Sequence, residues 1–238
     1  MMEISVQGTP YSQPLARDSE GYGVPLVMVD CAIFIIDEGE LKVLLPTRRK
    51  APEEGKRGLV GGRLHTNEDL TIEDAVRRVV VGKIGVDVRY MEQLSTYGGP
   101  LRDRGGWTVS VAYIAMVEAA LVSKDLYADL FSVEDTAKLG LCFDHSDILR
   151  NAVARLRDKA TYSSLPAFLL PEEFTLRELR DVYAVVTGTL PGKSWFRDQV
   201  ARQGLVVPTG KMSHGGRHRP AELYRAAGLK NLDGRLKV

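Results

Sequence analysis

The sequence predicts an α/β chain in two units: a body of alternating strands and helices, then a small basic unit of two helices and a hairpin. Three observations lead there. Apolar residues alternate with the two-residue period of strands around residues 26–49 and again in TVSVAYIAMV. Between those runs, Gly61 to Val86 reads as a glycine pair feeding into a helix, with Ile72, Ala75, Val76, Val79, Val80 and Ile84 on one apolar face. From Gly188 onward ten Lys and Arg stand against three Asp and Glu, although the net charge of the whole chain is only +1.

Composition sets wide bounds. At 238 residues, 44% hydrophobic and 26% charged, the chain has the make-up of a globular protein of one large or two modest domains. Its two cysteines, Cys31 and Cys142, are far apart, and no CxxC or Cys/His cluster marks a metal site. No apolar run approaches the roughly 20 residues that cross a bilayer, and no basic-then-apolar leader opens the chain. A reduced, cytoplasmic setting without a membrane partner is the expectation.

Taken in order, residues 1–25 carry Gly8, Pro10, Ser12 and Pro14 and read as a flexible arm. VMVDCAIFII, the turn DEGE and LKVLLPTRR form a hairpin ending in Arg48, Arg49 and Lys50. At Gly61-Gly62-Arg63 the glycines would let the backbone approach a ligand, and the positive end of the following helix would face a phosphate. Gly85 stops that helix. VDVRYMEQLSTYG is a further strand, followed by a polar loop through Arg102, Asp103 and Trp107 into TVSVAYIAMV. Residues 117–140 are less regular: a loop, a short strand and a helix.

Phe143-Asp144-His145 precedes a helix with Ile148, Leu149, Ala152, Val153 and Leu156 inward, capped by Asp144 or Ser146. No serine or cysteine nucleophile with partners accompanies His145, and no catalytic triad is found. SSLPAFLLPEE, residues 163–173, marks the joint between units. Thr175 and Glu178 form a capping box for a helix through Val186, closed by Gly188. A second helix spans roughly Ser194 to Gln203. A strand, a glycine-rich basic hairpin and a closing strand complete the plan of a winged helix-turn-helix, which suits double-stranded DNA. Lys193, Ser194, Arg197, Gln199 and Arg202 on the second helix, with Lys211, Arg217 and Arg219 on the hairpin, are the candidate DNA contacts. Arg197 and Gln199 are placed at base edges and Lys193, Lys211, Arg217 and Arg219 at phosphates.

The glycine-to-helix stretch, with Arg78 seven residues ahead of Gly85, resembles the Nudix box, glycine, five residues, glutamate, seven residues, then R-E-U-x-E-E-x-G-U. Two extra residues lie upstream, and Val79, Gly82 and Lys83 stand where the family carries three metal-binding glutamates. Followed by FTLRELRDVY, K-S-W-F-R and GGRHRPAELY, it resembles NrtR, the Nudix-related transcriptional regulators of NAD metabolism, over about residues 26–227. The resemblance implies a Nudix-like α/β/α sandwich with a mixed sheet at 26–165, sensing ADP-ribose without hydrolysing it, and a winged helix at 166–238 on operator DNA near NAD-biosynthesis genes. It further implies a homodimeric repressor with no required cofactor. Arg48, Gly61, Gly62, Arg63, Arg102, Asp103 and Trp107 are then the candidate effector contacts, Arg102 on the diphosphate and Trp107 on a ring. The alternative is a Nudix ADP-ribose pyrophosphatase whose metal sits on Glu68, Glu73 or Asp74. A nucleotide-binding module with a basic tail for protein or RNA is a third reading.

Overall fold

The computed structural model describes residues 16–103, 106–122, 128–213 and 220–233. Most of the expected arm, 1–15, and the hairpin tip with Arg217 and Arg219 lie outside them.

Strand β1 (Leu26–Asp37) turns into β2 (Glu40–Pro46) through Glu38 and Gly39, both at positive φ, the two-residue turn whose twist matches paired strands. β3 (Val60–Arg63) pairs antiparallel with the first half of β1. On the other side β1 runs parallel to β5 (Gly106–Met116), which pairs with β4 (Tyr90–Asp103), and β6 (Ala128–Ser132) closes the far edge beside β2. The sheet is therefore mixed, in the order β4-β5-β1-β2-β6 with β3 beside β1.

Strand alternation sends β1 side chains to two cores. Val29, Cys31, Ile33 and Ile35 pack with Ala75, Val76, Val79 and Val80 of α1 (Ile72–Ile84), whereas Ala32 and Phe34 pack with Ile148, Leu149 and Ala152 of α2 (His145–Ala160). Each such aliphatic side chain contributes about 1.5–3 kcal/mol when fully buried. Helix α1 is closed at both ends, by a Thr71–Asp74 capping box and by Gly85 at φ 70.

The C-terminal unit holds α3 (Leu176–Thr187), with its Thr175–Glu178 capping box and Gly188 at φ 78, and α4 (Lys193–Arg202), one residue earlier than expected. β7 (Val206–Met212) and β8 (Glu222–Ala226) form the antiparallel hairpin behind them. The expected joint is no loose linker. Leu165, Ala167, Leu169, Leu170 and Phe174 are buried in the same core as α2, Leu179, Val182 and Tyr183 of α3, and Phe196 of α4. The Tyr183 hydroxyl donates to the Ser163 carbonyl at 2.8 Å.

Three local expectations are corrected. Gly61 and Gly62 belong to β3 and not to a loop at the helix start. Residues 98–103, expected as loop, continue β4, because the alternating run of β5 supplies a partner as far as Asp103. Asp144 precedes α2 without capping it, since its carboxylate is taken by Arg102.

Candidate functional site

A cavity of about 880 Å³ opens among β1, β3, the segment after β2, the last turn of α1, the end of β4 and the start of α2. Its lining includes Arg48, Gly61, Gly62, Arg63, Arg102 and Asp103, so six of the seven expected effector contacts meet there. Trp107 does not line it. That residue lies on β5 near Gly98 and is 41% exposed.

The floor is a charge network around Asp30, which stands on the α2 face of β1 between apolar neighbours and is 4% exposed. Its Oδ2 accepts from Arg102 Nη2 and from Ser110 Oγ, both at 2.6 Å. Its Oδ1 lies 3.4 Å from His145 Nε2. Arg102 donates its Nε to Asp144 at 2.8 Å, so one guanidinium joins two carboxylates. Burial works against the Asp30 charge, but His145 and Arg102 outweigh it and hold the carboxyl well below the ordinary range. Burial also opposes charging His145, and the Asp30 carboxylate more than offsets it, raising the ring's pKa. The Leu59 amide donates to Nδ1 at 2.9 Å, so Nε2 is the nitrogen whose proton faces Asp30.

The glycines serve packing here. A Cβ on Gly61 would fall 2.0 Å from Asp30 Oδ1, and one on Gly62 2.7 Å from a Val79 methyl. The expected use of the helix dipole is also corrected, because the cavity meets Gly82, Lys83 and Ile84, the negative end of α1. Arg102 is likewise paired, its side chain 7% exposed with Nε on Asp144 and Nη2 on Asp30.

Of the other cations that line the cavity, Arg48 and Lys83 are each held by neutral protein atoms and have no carboxylate partner among the described residues. Arg48 donates to the Pro52 carbonyl at 2.5 Å and lies over the Phe143 ring, 4.7 Å from its centroid. Lys83 donates to the Gly61 carbonyl. Its surroundings lower its pKa chiefly through burial, with Asp30 opposing and Arg48 reinforcing. Among the described residues no group of three or more His, Cys, Asp or Glu is placed to hold a metal ion. The alternative carboxylates are engaged elsewhere: Glu68 with His65 and Arg78, Glu73 with the Tyr113 hydroxyl, Asp74 in the α1 cap. A divalent cation does not fit this donor set.

On the second unit, Lys193, Ser194, Arg197 and Arg202 are exposed on α4, with Phe196 and Val200 turned inward. Gln199 is half-buried, and its amide oxygen accepts from Arg202 at 2.7 Å and from Gln203 at 2.9 Å. Lys211 on β7 pairs with Glu173 at 2.7 Å.

The model of the NrtR DNA-binding winged helix domain matches residues 166–226. The ADPR responsive transcriptional repressor NtrR of Acinetobacter baylyi is 36% identical over 216 residues, covering 89% of this chain and 86% of that protein. The chain belongs to the NrtR family. Shewanella oneidensis NrtR in complex with a 27mer DNA superposes with a TM-score of 0.82 at 33% identity, over 89% of this chain and 99% of that one. The same protein's NUDIX domain, solved with ADP ribose, matches at TM-score 0.52 and 33% identity over 58% of this chain and 93% of that one. An ADP-ribose pyrophosphatase of Methanocaldococcus jannaschii is 30% identical over 156 residues, 62% of this chain and 88% of that protein.

For this NrtR family member, sequence reasoning missed Asp30 and the joining role of Asp144. A signal for Asp30 existed: one acid inside the run VMVDCAIFII is a charge that must be paired if the strand is buried on both faces. Its partners lie 72, 80 and 115 positions away, and no local spacing reveals them.

Proposed function

We propose that the protein is an ADP-ribose-responsive repressor that binds operator DNA of NAD-metabolism genes through its winged helix and reads the effector in the cavity beside β3. The observation that carries this is the pairing, in one chain, of a cation-lined cavity, with no metal-holding carboxylate cluster among the described residues, and an exposed basic helix beside a hairpin. The effector contacts are Arg48, Arg63 and the β3 backbone; the DNA contacts are Lys193, Ser194, Arg197 and Arg202, with Lys211, Arg217 and Arg219 on the hairpin. The chain works as a homodimer in the cytoplasm and does not hydrolyse its effector. It uses no cofactor, and no described helix is long and apolar enough to cross a membrane. Effector and DNA are linked energetically: ADP-ribose favours a geometry that holds the two α4 helices of the dimer off their half-sites.

A mobility-shift titration on DNA upstream of NAD-biosynthesis genes, repeated with ADP-ribose, NAD and AMP, tests the proposal. Specific retardation reversed by ADP-ribose supports it. No retardation on any such fragment overturns it. The likeness to a pyrophosphatase favours a second reading as a hydrolase, which magnesium-dependent release of AMP from ADP-ribose would establish.

A further inference from the structure

Lys83 and Arg48 are two cations held in one cavity, and each has only neutral protein atoms as direct polar partners among the described residues. They repel one another, and the buried acid nearby, Asp30, is already shared among Arg102, Ser110 and His145. Lys83 is exposed to the cavity and Arg48 is half-buried, so an anion entering there meets two charges that no protein carboxylate neutralises among the described residues. Arg102 is already neutralised, its Nε donating to Asp144 and its Nη2 to Asp30. Lys83 is also well placed to act without disturbing the fold: it projects from the last turn of α1, and its apolar neighbours Val80 and Ile84 supply the packing.

We propose that Lys83 is the principal diphosphate-binding residue of the effector cavity, a tethered monovalent cation that makes binding independent of any divalent metal, with Arg48 as its partner across the cavity. The inference rests on the effector reading above and names the chemistry of that site. A nucleoside diphosphate presents two adjacent anionic groups to two separated cations. A lysine is a compact point charge that can leave the Gly61 carbonyl for a phosphate oxygen, while Arg48 stays aligned by the Phe143 ring. Ligands lacking the second phosphate meet only one of the two cations well.

Calorimetric titration of ADP-ribose into the full-length protein, in EDTA and in magnesium, tests this with Lys83→Gln alongside. The expected result is equal affinity in the two buffers for the unmodified protein and a loss of at least about tenfold in Lys83→Gln, with a smaller loss for AMP. Operator retardation without effector serves as the folding control and stays unchanged. Wild-type affinity in Lys83→Gln, or binding that requires magnesium, overturns the assignment of Lys83 while leaving the effector reading intact. No binding of ADP-ribose by the unmodified protein in either buffer overturns both.

Discussion

Arg102 and Asp30, 72 residues apart in the chain, are joined at 2.6 Å with side chains only 7% and 6% exposed. Removing one member of a buried pair leaves the other charged and unsolvated, which costs about 3–5 kcal/mol. Arg102→Ala should therefore destabilise the protein by about that amount in urea denaturation, and any weakening of the effector response follows from loss of the folded floor. A variant of unchanged stability that binds ADP-ribose poorly would instead make Arg102 a direct ligand residue.

Gly61 admits no side chain. A Cβ there would sit 2.0 Å from Asp30 Oδ1 and 2.8 Å from the Val29 carbonyl, and both are fixed by the sheet and the charge network. Gly61→Ala is expected to cost about 1–3 kcal/mol through overpacking. Gly82→Ala, where nothing lies within 4 Å of the added atom, should be neutral or stabilising in the same assay. Equal effects at the two positions would mean that β3 is free to move away from β1.

Acid should weaken the fold in a defined window. Asp30 titrates below the ordinary carboxylate value of 3.8, burial being outweighed by His145 and Arg102, and the side-chain hydrogen bond from Arg78 brings Asp69 down to about 2. A depressed carboxylate pKa adds stability that is complete above the unfolded value and is lost as pH falls toward the folded one. Below the unfolded histidine value, where the raised His145 contributes in full, the melting midpoint should thus be level between about pH 6 and 5 and drop below about pH 4, and Asp69→Asn should remove part of that drop. A midpoint that holds steady to about pH 2 would contradict the network's charge assignment.

How much of this was legible depended on whether the cause was local. Capping boxes at Thr71 and Thr175 and the stops at Gly85 and Gly188 are set by neighbours within four residues, and the helices of the second unit were readable for that reason. The cavity was only half legible. Arg48, Arg63 and Asp103, named as contacts by resemblance to Nudix proteins, do line the cavity beside the glycines. The commitment of Arg102 could not be read, because it depends on Asp30 from one strand and Asp144 before a distant helix. The same holds for the direction of α1: the sequence shows a glycine pair ahead of a helix, but not the eight residues from Leu64 to Thr71 that carry the chain round so the opposite helix end meets the cavity.

Helix α4, proposed above to meet DNA, offers two side chains of unequal readiness. Arg197 is 70% exposed and its nearest carboxylate, Asp198, is 3.9 Å away, so its guanidinium can turn to a guanine edge or a phosphate at little cost. Gln199 must first release hydrogen bonds from both Arg202 and Gln203 before its amide oxygen can meet a base. Arg197→Ala should therefore weaken operator binding by about 1–3 kcal/mol, and Gln199→Ala by less than about 0.5 kcal/mol, both read by mobility shift at fixed salt. If Arg197 reads a base, its loss falls on the operator and spares unrelated duplex. If it holds a phosphate, both duplexes weaken alike and the slope of affinity against salt shrinks by about one. A Gln199 effect as large as that of Arg197 would mean that the α4 surface rearranges on DNA, with the Gln199–Arg202 bond exchanged for a base contact.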